Sequence, residues 1–460
     1  MLAVWPLVML LLFRRLPADR ALIWSVLGGY MVLPPAIAFN LPVVPDITKD
    51  SLPGLVALAI VLFVLKDRLS FWPESWLGRG LIVLFVLSPF GTVLTNPEPV
   101  PIGPGMLQGM RLYDSVAAVT NQMIEILPLF LARRYLGTPE GMRAILVALV
   151  AAGLAYSLPM MIEARLSPQL NVWIYGYFQH DFFQTIRNGG FRPVVFMPHG
   201  LWVAFFALMA FAAALVFLRL GPVAARPRQF ATVLYLGVML ALCKSMGVLI
   251  DAAVLLPLIL FAPRRWQVYV AFVLALVVIT YPALRGLHLL PLDEVTNFAR
   301  GFSADRAGSF QFRLNNEEAL LVHAAEKPWF GWGGYGRNLL YDPLTGARLS
   351  IADGAWIITL GLYGWAGYVA QFGLLVLPLL LLGREVWRGA GPASPWVAGV
   401  ALIFAANLID LLPNGTLVPF TWLLAGAILG QAELLSRQRA LRRQRDIATH
   451  WQAGQGRTVI

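Results

Sequence analysis

The sequence predicts an all-α polytopic membrane protein with about twelve transmembrane helices, thirteen if the opening run crosses, and one large ordered loop subdomain outside the bilayer. Three observations carry the prediction. Of 460 residues, 58% are hydrophobic and 13% charged, against roughly 45–50% and 25% in soluble domains, so a soluble globule is excluded. Apolar runs close to the ~20 residues that cross a hydrocarbon core recur from end to end. Between them the basic residues concentrate in alternate linkers, the pattern of a chain threading back and forth through a bilayer.

Taken in order, apolar runs bounded by charges and Pro/Gly clusters place spans near 20–40, 52–65, 80–95, 115–132, 142–163, 193–218, 229–243, 246–261, 267–284, 354–382, 396–411 and 415–434. Residues 1–13 are short for a span, and Arg14 and Arg15 follow them, which is not the flank order of a signal peptide. The chain divides into N-terminal transmembrane helices (1–284), a large loop subdomain (285–353), C-terminal transmembrane helices (354–434) and a basic tail (435–460). The loop carries Trp329, Phe330, Trp332, Tyr335 and Tyr341, and a helical run over 309–325 that stops before Pro328. That composition predicts a folded subdomain rather than a linker.

Sorting the 35 Lys and Arg by linker puts 22 on one face, among them Arg133, Arg134, Arg264, Arg265 and the tail arginines, against six in the short linkers of the other. The richer face is the cytoplasmic one. The C-terminus is therefore expected inside, and 165–192, the junction at Lys244 and the 285–353 loop outside. Orientation explains the net charge of +11. Nucleic acid has no remaining support as a partner, whereas the lipid bilayer is the expected surrounding and anionic lipid is within reach of the tail. One cysteine, Cys243, and five histidines predict neither a disulfide framework nor a multi-ligand metal site.

Charges at or near a bilayer are costly unless paired or hydrated, which makes four clusters candidates for function. In RNGGFRPVVFMPHG, Arg187 and Arg192 stand just before a span and His199 about two turns inside it. Two guanidiniums ahead of a helix suit a phosphate or carboxylate; the plainer reading has them snorkel while His199 bonds a neighbouring helix. In CKSMG, Lys244 either neutralises an anionic head group or snorkels at a helix end. In FRLNNEEALLVHAAEKPWFGWGGYG, Arg313 either points at an anionic substrate or forms an i, i+4 pair with Glu317, and His323 and the glutamates read as structural. The glycines of GWGGYG permit tight turns and N–H groups facing an anion, but no strand precedes them and no helix follows, which excludes a dinucleotide loop. In DGAWIITLGLYGWAG, Asp353 caps a helix, serves as a base toward a hydroxyl, or does both. Asp251 and Asp410, at membrane depth, read as structural. The absence of Asp-x-Asp, His-Glu-x-x-His, a Walker loop and Gly-x-Ser-x-Gly disfavours metal hydrolysis, ATP coupling and the serine hydrolase route.

In their order, FRPVVFMPHG, CKSMG, and a long loop ending in PWFGWGGYG before a span with GLYGWAG resemble the O-antigen ligase and polymerase family, over roughly residues 190–385. The resemblance implies a bacterial inner-membrane glycosyltransferase that takes a glycan from an undecaprenyl diphosphate carrier on the periplasmic side, where the large loop lies, with no metal or other cofactor. It implies that Arg192 and Arg313 hold the diphosphate, with Arg187 and Lys244 in support and His199 as a further binding candidate. The ligases carry a histidine near the start of the span after the large loop. Asp353 stands in that neighbourhood here, a departure that favours a polymerase-like member making an O-antigen or exopolysaccharide over a ligase. Asp353, Arg192 and Arg313 are then the expected catalytic residues, in an inverting attack by an acceptor hydroxyl. Trp329, Trp332 and Tyr335 either stack on sugar rings or form loop core. The undecaprenyl diphosphate-linked oligosaccharide is the expected partner, with a chain-length regulator protein as a second. The alternative from another class is a lipid-linked oligosaccharide flippase or other transporter; such folds carry repeats and midplane charges, whereas the polar candidates here gather on the outer side.

Overall fold

A computed structural model of the chain describes residues 1–41, 44–187, 189–302, 304–389 and 394–455. It is 70% helical. The helices in chain order are α1 (Trp5–Arg15), α2 (Ala18–Val32), α3 (Leu52–Ala59), α4 (Trp76–Leu94), α5 (Leu112–Glu125), α6 (Leu127–Tyr135), α7 (Pro139–Leu166), α8 (Leu170–Tyr175), α9 (Gly200–Leu220), α10 (Arg226–Leu242), α11 (Met246–Phe261), α12 (Arg264–Gly286), α13 (Leu292–Phe302), α14 (Ala304–Ala325), α15 (Ala355–Trp387), α16 (Pro395–Asp410) and α17 (Pro419–Gln455). Three short antiparallel hairpins, one of them Ile186–Arg187 paired with Gly190–Phe191, are the strands among the described residues.

Among the described residues, six stretches are long and apolar enough to cross a membrane: α4, the continuous α5–α6, α7, α9, α12 and α15. Three further apolar helices, Leu52–Val64, α11 and α16, are shorter. A helix stands at each expected span, but two of the spans are trimmed. The run expected over 20–40 stops at Val32, because Pro34 and Pro35 cannot continue a helix, and the run expected from 193 becomes helical only at Gly200, after Pro193 and Pro198. The opening run is an 11-residue helix, about half the length that spans a core. Packing separates inner from outer helices. α9 and α16 are buried on nearly every side, while α10, α11 and α12 leave Leu234, Val238, Ile250, Val254 and Val273 exposed, as lipid-facing helices do.

The 285–353 loop is folded, and the bundle holds it through a break in α15. At Gly364 the backbone takes φ 62, ψ −162, a region essentially reserved for glycine. The break frees helix peptide groups, and the PWFGWGG segment takes them up. Trp365 N donates to Pro328 O (2.7 Å) and Ala366 N to Trp329 O (3.0 Å), while Trp332 N donates to Gly361 O (2.8 Å) and Gly333 N to Leu362 O (2.9 Å). Thr92 and Asn96 of the α4 end donate to Phe330 O and Gly331 O. Arg337, 1% exposed, donates to the carbonyls of Glu98, Gln108 and Trp332, tying the 95–111 connection to the same loop. Loop helix α14 is joined to the end of α12 by the Arg285–Glu318 ion pair (2.9 Å).

At the opposite end of the bundle, Arg133 pairs with Glu433 (2.7 Å), Arg439 with the fully buried Glu385 (2.7 Å), and Arg437 with Glu74. Of the expected basic tail, residues 456–460 lie outside the described residues.

Candidate anion-binding site

The segment between Phe191 and Gly200 positions most of the candidates, and it is not helical. A non-helical backbone at a membrane edge requires every N–H and C=O to find a partner, and buried side chains provide them here. Glu163, 1% exposed at the end of α7, accepts from Val194 N (2.8 Å) and Val195 N (2.7 Å). Tyr156 Oη accepts from Phe196 N. Gln179 donates to Val195 O and Met197 O, and the buried Lys49 donates to Phe196 O and Tyr30 O. These contacts hold Val195 at φ 54, a left-handed conformation that a β-branched residue adopts only when its surroundings impose it.

Arg192 thereby reaches the turn between α10 and α11. Its Nε donates to Cys243 O (3.3 Å) and its Nη2 to Lys244 O (3.2 Å), while Nη1 has no hydrogen-bond partner among the described residues. The side chain lies against the first turn of α9, where a Cβ at Gly200 would collide with it. Lys244, at φ 51, closes the turn and donates its ammonium to Arg187 O (2.9 Å). Gly190 lies beside it, where a Cβ would come within 2.5 Å of Lys244 Nζ. Asn188 lies outside the described residues. Arg187 itself is exposed.

Arg313 arrives from α14. Its Nε lies 3.5 Å from Asp353 Oδ2, and its Nη1 donates to Pro413 O and Asn414 Oδ1 (both 3.4 Å). Asn414 and Thr416 in turn bond Asp410, so this carboxylate orders the 411–418 connection that receives Arg313.

Arg187 and Arg313 both lie within electrostatic reach of Arg192. Burial first, then repulsion from Arg187 and Arg313, lowers Arg192 from its usual range to about 10. Burial, then His180 and the three arginines, pulls His199 down to about 3. His199 is thus a neutral imidazole. Its Nδ1 accepts from Leu201 N (3.0 Å), which leaves the proton on Nε2 as a free donor. The His180 ring packs 4.4 Å from it. The N-termini of α9, α11 and α15 all open toward this end, adding partial positive charge.

Four expectations change. His199 is not two turns inside a span; it is the N-cap of α9, because Pro193 and Pro198 delay the helix. Asp353 does not cap α15: Gly354 is the N-cap, and Asp353 pairs with Arg313. The i, i+4 partner of Arg313, Glu317, turns inward instead. It is 6% exposed, and its Oε2 has no hydrogen-bond partner among the described residues. Burial raises it to about 7, with Trp356, Arg285 and Arg313 offsetting part of the shift. The N–H groups of Trp332 and Gly333 face no anion, since α15 takes them. The Trp332 indole stacks on His323 (4.3 Å), lies under Lys327 Nζ (4.7 Å) and donates to His323 O, which makes it loop core. Tyr335 is exposed and donates to Asp114 (2.9 Å), apart from the arginines. Trp329 is 70% exposed.

Beside the cationic cluster lies a cavity of about 500 Å³ lined by Asp46, Thr48, Asp50, Ser51, Asn121, Glu125 and 417–419. The 411–418 connection separates the two, with Pro413 and Asn414 on the arginine side and Leu417 and Val418 on the cavity side. Lys49, between Thr48 and Asp50, also reaches the Arg192 segment through Phe196. Sequence reasoning passed over Glu163, Gln179 and Lys49, although two of them are charges at the membrane edge and carried that signal. No protein-family model matches the chain, and no curated protein matches it in sequence.

Proposed function

We propose that the chain is a metal-independent glycosyltransferase of the inner membrane, with about twelve crossings, that polymerises a surface polysaccharide from undecaprenyl diphosphate-linked units on its periplasmic face. The observation that carries the reading is the convergence of Arg187, Arg192, Lys244 and Arg313, from three separated stretches, around the neutral His199 donor. Cations held this way without a carboxylate for each suit a diphosphate whose charge grows as it leaves.

In the reaction the bond from the anomeric carbon to the carrier phosphate breaks and undecaprenyl diphosphate departs. The acceptor oxygen attacks the opposite face and its proton passes to Asp353, which the Arg313 guanidinium orients 3.5 Å away. Inversion follows. The carboxyl groups and hydroxyls of the cavity offer hydrogen-bond partners to sugar hydroxyls, so the acceptor glycan belongs there.

Purified protein incubated with an undecaprenyl diphosphate oligosaccharide tests the reading. Longer lipid-linked products support polymerisation, and transfer to a different acceptor replaces it with ligation. Intact substrate moved across a vesicle bilayer, with no new glycosidic bond, rejects the enzyme in favour of a flippase.

A further inference from the structure

We infer that the groove between the first turns of α12 and the last turns of α15 binds an anionic phospholipid, its phosphate between Arg384 and Arg388 and an acyl chain along the aromatic wall. The groove holds about 760 Å³ and is lined by Trp266, Tyr269, Phe272, Trp387, Arg384 and Arg388, with Val273 and Gly383 beneath. It lies at the tail end of the bundle, remote from the cationic cluster, and the inference does not rest on glycosyl transfer.

Three features indicate the occupant. Trp387 is 81% and Trp266 54% exposed, and with Tyr269 they form a continuous edge-to-face row at 5.9 and 6.5 Å, the amphipathic belt that lies at head-group level. Gly383 opens the floor, since a Cβ there would stand 2.6 Å from the Phe272 ring. Charge selects the head group. Among the described residues no carboxylate lines the groove, and the Arg388 side chain has no hydrogen-bond or ion-pair partner. Arg384 touches Glu385 (3.2 Å), but that carboxylate is already held by Arg439 through two hydrogen bonds. Two guanidiniums grip a phosphate bidentately and repel the ammonium of a choline head group. A basic pocket between membrane helices beside an apolar wall therefore fits phosphatidylglycerol or cardiolipin.

The full chain, stripped of lipid in detergent, is titrated with phosphatidylglycerol and with phosphatidylcholine of the same acyl chains, and bound lipid is counted by native mass spectrometry. The inference predicts one phosphatidylglycerol held at about tenfold lower concentration than phosphatidylcholine. Arg388→Ala, which removes no side-chain hydrogen bond or ion pair among the described residues, narrows that preference, and Arg384→Ala with Arg388→Ala abolishes it. Trp387→Ala weakens both lipids alike. Equal retention of the two lipids by the wild type, or a preference that survives loss of both arginines, means ordinary annular lipid and overturns the site.

Discussion

Replacing Gly364 by alanine tests how the 285–353 loop is held to the bundle. The added Cβ would stand 2.5 Å from Phe330 N and the Trp329 carbonyl carbon and 2.6 Å from Pro328 O, so the seam must open. At φ 62 and ψ −162 a side chain also carries about 1–3 kcal/mol of backbone strain. The two hydrogen bonds nearest the new methyl, Trp365 N to Pro328 O and Ala366 N to Trp329 O, contribute about 1–3 kcal/mol together. The expected cost is therefore about 2–6 kcal/mol. Gly308→Ala, in helix α14 with nothing within 4 Å of the new carbon, is the control and gains up to about 1 kcal/mol. Thermal unfolding in micelles reads the stability, and amide exchange over 328–333 and 361–366 reads the seam. A Gly364→Ala protein that melts with the control and keeps those amides protected refutes the reasoning.

Further predictions concern the cationic cluster and its neighbours. Arg313→Ala lowers glycosyl transfer about 100- to 1000-fold, as loss of one well-placed electrostatic donor does; Arg192→Ala does the same and also loosens the α10–α11 turn, seen as faster exchange at Lys244, and turnover within tenfold of wild type in either variant removes that residue from the site. Asp353→Asn abolishes turnover while protein level in the membrane stays unchanged; full activity ends its role as base. Glu317 holds a proton in the folded state up to about pH 7 that the unfolded chain releases near its usual 4.5. Stability therefore falls by up to about 3 kcal/mol as pH rises through that window. Glu317→Gln flattens the slope, and a melting profile with the wild-type slope contradicts the assignment.

The helices were legible because hydropathy and length decide what a bilayer accepts, and the prolines at 34, 35, 193 and 198 explain where the runs were read too long. The arginines were legible as isolated charges, but their meeting was not. Arg192 comes within electrostatic range of Arg313 because Glu163, Gln179 and Lys49 hold an irregular segment in place and Asp410 orders the 411–418 connection, and no local pattern encodes such an arrangement. His199 was read two turns deep because the apolar run begins at 193, whereas Pro193 and Pro198 hold the helix off until Gly200; of the roles open to Asp353 only the cap is removed, since Gly354 takes that position one residue on, within the ordinary error of helix boundaries. The glycines of PWFGWGG and GLYG were visible as turn formers. That one set completes a break in the helix carrying the other follows from four backbone hydrogen bonds between distant segments.

The central claim is that a pyrophosphoryl lipid is gripped where these cations meet. Its most direct measurement is equilibrium binding of undecaprenyl diphosphate, compared with undecaprenyl monophosphate, to wild type and to Arg313→Ala in nanodiscs, with the exposed Arg228→Ala, at the start of α10, as control. The account predicts saturable binding that prefers the diphosphate, weakens about tenfold or more in Arg313→Ala and is unchanged in Arg228→Ala. Equal affinity for the two lipids, or equal affinity in all three proteins, contradicts it.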